Sequence, residues 1–226
     1  MPRPYFSYSQ YKMWTSSPAS YRKRYYLNEE IRMNAETFFG KKIAQKLEDG
    51  DPEFAHIKKY KVMEHKILTN IEGTDVKLLA YLDTYSPTAR CFGEYKTGRM
   101  NDKEKHFWNQ KTVEKHEQLD WYSMLIQESE GTVKDGCWLA HIETERRNLR
   151  YNGTTFRNTH LALTGNVYYY YRKIEQWERD LIKEKIIKAI KEIQKDYGQF
   201  RKDNQGTLPE ARKASPRKEA GGEGVF

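Results

Sequence analysis

The stretch CFGEYKTGR, residues 91–99, sets an acid and an amine two residues apart in a run that otherwise reads as a β-strand. Alternation along a strand puts Glu94 and Lys96 on one face with Phe92, and Gly93, Tyr95 and Thr97 on the other. Eleven positions before Glu94, Asp83 closes the apolar run KLLAYLD, just ahead of the turn residues TYSPT. If the two runs pair as neighbouring strands, Asp83 reaches the end where Glu94 and Lys96 stand. Two carboxylates placed so closely repel unless a cation joins them. Oxygen ligands without Cys or His suit Mg²⁺ or Mn²⁺, which keep several waters, and the peptide carbonyl of Tyr95 offers a third oxygen. Such a cation acidifies a bound water and neutralises charge on a phosphoryl oxygen, while Lys96 orients the water or stabilises the pentavalent phosphate. The chemistry is metal-assisted phosphodiester hydrolysis. The competing reading is an edge strand with a solvated charged face, because E-x-K arises often by chance.

The elements needed to position these residues are legible as a pattern. Tyr5 to Tyr26 reads as two short helices divided by TSSPAS, with Ser17 as cap and Pro18 in a first helical turn. In NAETFFGKKIAQKLEDG, Phe39, Ile43 and Leu47 recur every four residues, which predicts an amphipathic helix ending near Glu48. KYKVMEHKILTNI, VKLLAYLDTY and RCFGEYKTG predict three strands. Glu64, on the first of them, fits either a place beside Asp83 or a charged outer face. KTVEKHEQLDWYSMLIQE predicts a helix capped by Thr112, with Leu119, Tyr122 and Ile126 along one stripe. CWLAHIETE and NVYYYYRKI predict two more strands around a polar stretch. EQWERDLIKEKIIKAIKEIQKDY predicts a long helix with Trp177, Leu181, Ile182, Ile186, Ile190 and Ile193 facing the core. The order predicts an α/β fold with a central mixed sheet flanked by helices, one domain over 1–197 with N-terminal helices at 5–27 and a core from about 34, and a disordered basic tail over 198–226.

The whole chain narrows the partners. Its 226 residues carry 40 Lys and Arg against 32 Asp and Glu, a net charge of +8, and 17 tyrosines, a composition suited to a polyanion with stackable bases. The two cysteines exclude a four-cysteine metal site within the sequence and give no disulfide framework, so the expected compartment is a reducing cytoplasm, of a cell or host cell. No run of about 18 apolar residues is present to span a membrane. His106, His116 and His65 read as solvated or packed side chains rather than metal ligands.

LDTYSPTARCFGEYKTGR resembles the D-x(n)-E-x-K core of the PD-(D/E)XK nuclease superfamily, with the RecB-like and Cas4-like exonucleases as the most similar branch. Three further segments agree in order: FSYSQYKMWTSSPASYRKRYY with that branch's opening, FFGKKIAQKLE with its first helical motif, and QLDWYSML with the Q-L-x-x-Y helix that follows E-x-K. The likeness runs from about residue 5 to 175. It implies a restriction-endonuclease-like fold, an Mg²⁺- or Mn²⁺-dependent deoxyribonuclease acting on single- or double-stranded ends, and a setting in phage or mobile-element recombination or repair with a recombination protein as partner. It implies Asp83 and Glu94 as metal ligands, Lys96 as the catalytic lysine, and Gln118 and Tyr122 as residues that contact substrate or hold Lys96. Read from its residues, YRKRYY either clamps a phosphate backbone through Tyr21, Arg22 and Arg24, or anchors its helix by the tyrosines while the cations solvate it. Two departures stand out. Ala44 sits where many RecB-like members carry a metal-binding His, leaving Glu48, one turn on, as the replacement carboxylate and Gln45 in reserve. The four cysteines of an iron–sulfur cluster are missing. The rival reading, from another class, is a catalytically inactive nuclease fold that binds nucleic acid or serves in assembly.

Overall fold

The structure, a computed structural model, describes residues 1–30, 33–99, 107–131, 133 and 136–204. The VMEHKILT, KLLAYLDTYS and CFGEYKTG runs form β2 (Val62–Thr69), β3 (Lys77–Ser86) and β4 (Cys91–Gly98). Strand β2 runs antiparallel along one edge of β3, from Val62 opposite Tyr85 to Thr69 opposite Leu78. A strand has two edges, so the other edge of β3 is shared. Here β1 (Tyr5–Ser7) pairs in parallel with Lys77–Leu79, and β4 pairs antiparallel with Thr84–Ser86. Among the described residues the β3 edge between them has no strand partner, and Asp83 lies at the β4 end of that notch.

The remaining strands extend the sheet beyond β4. Strand β5 (Cys137–Tyr151) joins β4 in parallel, with Glu94 beside Leu139 and Lys96 beside His141, and β6 (Thr154–Arg172) returns antiparallel to β5. The mixed sheet flanked by helices is the expected architecture. The stretch expected to divide β5 from β6 is instead strand on both sides of Asn152–Gly153, whose positive φ values of 45° and 76° make the two-residue turn that twisted hairpins favour. At Gly93 a Cβ would lie 2.3 Å from the Trp138 ring, so only glycine lets that indole cross the strand.

Helices cover the two faces unequally. α1 (Tyr8–Ser16), α2 (Pro18–Tyr25), α5 (Glu117–Glu130) and α6 (Gln176–Asp203) build the larger core, in which Phe6, Tyr21, Leu119, Trp121, Leu125, Ile186 and Ile190 are fully buried. α3 (Ala35–Asp49) covers the opposite face, setting Ile43 and Leu47 against Phe54, Ile57 and Ile142. The side chains of Tyr95 and Met63 pack at the rim of this second core.

Several expected boundaries move. Tyr5–Ser7 is strand, because its backbone pairs with β3. The helix read through KTVEKHEQLDW is broken into α4 (Gln110–Glu114) and α5, with Asn109 rather than Thr112 capping α4 and His116 at the start of α5. Trp177 and Leu181 are exposed rather than in the α6 core stripe, since the helix turns Ile182, Ile186 and Ile190 into the core it shares with α1 and α5. The helix also runs through Gly198 to Asp203, where a tail was expected. Tyr197 and Phe200 pack on Tyr26, with centroids 4.8 and 5.1 Å away, and hold that last stretch in place. Positions 205–226 of the expected tail, and His106, lie outside the described residues.

One buried ionic staple locks the layers. Arg172, near the end of β6, donates from Nη2 to Asp120 Oδ1 (2.5 Å) and Glu178 Oε1 (2.8 Å), and from Nη1 to the carbonyls of Val113 and His116. It thereby ties β6 to α4, α5 and α6 at one point.

Candidate active site

The β3–β4 ladder ends at Thr84 opposite Gly93, so the next two positions, Asp83 and Glu94, stand where the strands part. The ladder bond that β3's backbone no longer supplies is replaced by a side chain: the Tyr95 backbone N–H donates to Asp83 Oδ2 at 2.7 Å. Glu94 and Lys96 point toward α5, as alternation predicts, while Tyr95 and Thr97 turn to the α3 face. There the Tyr95 hydroxyl donates to the Lys58 carbonyl and its ring meets Trp138.

Glu94 is 3% exposed, and its two oxygens differ. Oε1 accepts from Lys96 Nζ (2.5 Å) and from Gln118 Nε2 (2.9 Å). Oε2 is buried without a hydrogen-bond partner. Gln118, in the first turn of α5, closes the cluster: its Oε1 accepts from Lys96 Nζ (2.9 Å) and its Nε2 also donates to the Tyr122 hydroxyl (2.6 Å). The spacing of one helical turn puts Gln118 and Tyr122 on one side of α5, and Tyr122 stands edge-on to Phe92. Five sequence-predicted residues, Asp83, Glu94, Lys96, Gln118 and Tyr122, are therefore brought together, with the backbone of Tyr95.

The electrostatics follow from this packing. Burial first, and the Glu94 charge second, push the Asp83 carboxyl well above the usual carboxylate range, and Glu64 adds to the push. Burial alone would lower Lys96, but attraction and hydrogen bonding to Glu94, helped by Asp83, raise it on balance. Lys96 is thus a permanent cation, suited to stabilising negative charge and unsuited to serving as a base. Burial, then Glu94 and Asp83, hold the Tyr122 hydroxyl protonated. His116 is pushed down to about 3 by burial and by Lys96 and Arg172, so it is neutral; it packs edge-on against Trp108 rather than being solvated.

The donor set fits a hard divalent cation. A buried carboxylate oxygen with no partner, next to a carboxyl whose pKa is raised by burial first and by its neighbour's charge second, is a pair that a bound cation would relieve. Among the described residues no group of three or more His, Cys, Asp or Glu side chains is arranged to hold a metal. Two carboxylates with waters or a carbonyl completing the shell match the sparse protein ligation that Mg²⁺ accepts.

Other expected site residues are placed elsewhere. Glu48 lies on α3, over the face of the sheet that Glu94 and Lys96 turn away from, and it is exposed, accepting from Gln45 Nε2 at 3.4 Å. Its helix is anchored there by Ile43 and Leu47, which fixes Glu48 away from the notch. Tyr21 is fully buried against Trp14, Tyr25 and Tyr26 and packs the core instead of facing a phosphate. Arg22 is engaged with Asp196 on α6, at 2.9 and 2.5 Å. Arg24 is exposed beside the Tyr25 ring.

The acid that does stand near the cluster is Glu64. Met63 pairs with Thr84 and His65 with Leu82, which leaves Glu64 opposite Asp83 at the one position where the β2–β3 ladder skips. Its φ of 49° is left-handed, a conformation unfavourable for a side chain of this kind and commonest where function demands it. Its charge reaches both Asp83 and Tyr122. Tyr8, at the start of α1, also feels Glu94. No spacing rule links Tyr8 to the E-x-K strand, and only the parallel pairing of β1 brings it close.

No protein-family model matches the sequence, and no curated protein does. Among solved structures, the fold is similar to a phage-related exonuclease of Haemophilus somnus 129PT, with a TM-score of 0.49 and 13% identity over 83% of this chain and 82% of that one. It is also similar to a protein of Eubacterium rectale described as an exonuclease, with a TM-score of 0.46 and 8% identity over 91% of this chain and 83% of that one. At that distance, what the chain does has to be read from its own side chains.

Proposed function

We propose that the chain is a metal-dependent nuclease that hydrolyses phosphodiester bonds in DNA at the notch between β3 and β4. The observation that carries this reading is the Lys96–Glu94–Gln118 cluster, with Glu94 Oε2 left unpartnered beside Asp83. Asp83, Glu94 and the Tyr95 carbonyl would hold Mg²⁺ or Mn²⁺, which when bound supplies charge neutralisation and an acidified water. The rest is done by the chain. Lys96 presents a fixed positive charge where the phosphate gains negative charge in the transition state. Gln118 holds the Lys96 amine by its carbonyl and Glu94 by its amide, so that neither needs to reorganise during reaction. Tyr122 fixes the Gln118 amide, and Phe92 excludes water from behind it.

The resemblance to RecB-like members of the PD-(D/E)XK superfamily supports exonuclease action on DNA ends and a place in phage or mobile-element recombination or repair, inside a cell. Among the described residues no helix is long and apolar enough to cross a membrane.

Cation titration tests the site independently of catalysis. Calorimetry with Mn²⁺ should show a binding event in the wild type that is lost in Asp83→Asn and unchanged in Glu48→Ala. Retention in Asp83→Asn, or loss in Glu48→Ala, would place the metal elsewhere.

A further inference from the structure

The β5–β6 hairpin outgrows the sheet that carries it. The β4 pairing ends at Gly98 beside Glu143, so from Thr144 onward β6 is the one strand paired with β5 among the described residues. Every residue from Arg147 to Arg157 is exposed, on both faces of the two-stranded ribbon. From Glu143 to Tyr151 the ribbon extends about 26 Å at roughly 3.3 Å per residue. Such a ribbon is marginally stable by itself. What this one gains is a cross-strand pair of Leu149 with Phe156, with Tyr151 on the same face.

The other face is cationic. Arg150 pairs across the ribbon with Thr155, and Arg157, adjacent to Phe156, falls on the same side as Arg150. Between Arg146 and Arg157 there are four arginines and no Asp or Glu. Two of the four are engaged within the chain, Arg146 with Glu36 and Arg147 with Glu145. Arg150 and Arg157 have no hydrogen-bond or ion-pair partner among the described residues. An exposed apolar patch of three side chains is small for a stable protein interface, whereas exposed guanidiniums without a partner among the described residues are what phosphates select.

We infer that this ribbon is a duplex-DNA arm, whose Arg150 and Arg157 grip phosphates at a distance from the scissile bond. The inference rests on the nuclease reading of the notch, and the geometry adds a length to it. Lys96 lies beside His141 on β5, and Arg150 is nine residues further along that strand. Nine residues of strand cover about 30 Å, or about nine base pairs of duplex at 3.4 Å each. A two-stranded β-ribbon is also of the size that the major groove admits. The arm therefore engages a duplex that extends about nine base pairs from the cut end, and a shorter duplex does not reach it.

The test is binding of fluorescent duplexes of about 24 and about 6 base pairs in EDTA, by wild type, Arg150→Gln/Arg157→Gln and Arg150→Lys/Arg157→Lys, across a range of salt, with thermal unfolding and solution mass recorded for each. Loss of two phosphate contacts lowers the slope of log K against log salt by about 1.8, and weakens long-duplex binding about 30-fold near 0.15 M salt. The Gln variant should show both effects on the long duplex and neither on the short one, with unchanged unfolding and mass, and the Lys variant should recover most of the slope. Wild-type slope and affinity in the Gln variant on the long duplex overturn the arm. So does a change of solution mass without a change of slope, which would make the ribbon a contact between copies of the chain. Cleavage by the wild type, measured separately with Mg²⁺, keeps the two readings distinct: an active enzyme with an indifferent arm refutes the arm alone, and an inactive protein whose arm still sets the slope refutes the nuclease alone.

Discussion

Lys96→Ala is expected to lower DNA cleavage by about 10²–10³ in kcat, the loss that follows removal of one preorganised donor at a developing negative charge. The effect should fall on kcat more than on KM, because the lysine is already committed to Glu94 and Gln118 in the free protein and adds little to ground-state binding. The substitution also strips the buried Glu94 carboxylate of its ammonium partner, leaving it the Gln118 amide. Thermal unfolding should therefore show a destabilised variant that Mg²⁺ restores toward the wild type more strongly than it stabilises the wild type itself. Full activity in Lys96→Ala would show that the E-x-K strand is a solvated edge.

The second large effect is on stability. Arg172→Leu leaves Asp120 and Glu178 without their shared cation and frees two carbonyls, and breaking a buried pair in this way costs about 3–5 kcal/mol. For a chain of this size that is a fall in Tm of roughly 6–20 °C. The pH dependence has a definite sign. Burial raises the Asp120 carboxyl to about 6 even with Arg172 lowering it, so without Arg172 it rises further. A carboxyl whose folded pKa lies above its unfolded value favours the fold at low pH and loses that contribution as pH rises through the folded pKa. Arg172→Leu should accordingly lose more stability at pH 8 than at pH 5, and adding Asp120→Asn should recover part of the loss at pH 8. Equal losses at both pH values would mean that the Asp120 charge is not what the arginine offsets.

The clustering of the candidate side chains was more legible in the sequence than the surroundings that position them. Alternation placed Glu94 and Lys96 on one face, and helical spacing put Gln118 and Tyr122 on one side of a helix, though only the family resemblance marked those two as site residues. These are local periodicities, and the structure keeps them. Glu48 went wrong for a reason no local pattern reveals: the apolar stripe of α3 says that the helix packs on the sheet, but not on which side. YRKRYY was open between a phosphate clamp and a helix anchor, and only the packing of Trp14 and Tyr26 around Tyr21 decides for the anchor. Glu64 was left open because its relation to Asp83 depends on the β2–β3 register, and its left-handed backbone interrupts the very alternation from which a face is read. The long hairpin was hidden by its mostly polar composition, although Asn152–Gly153 carried the turn in plain view.

The most direct measurement is cleavage of end-labelled single- and double-stranded DNA by the full chain with Mg²⁺, with Mn²⁺ and with EDTA. A nuclease at the β3–β4 notch predicts shortening of the labelled strand that requires the divalent cation and stops in EDTA. Intact DNA under every condition, with binding retained, would contradict it and leave a nucleic-acid-binding protein without nuclease activity.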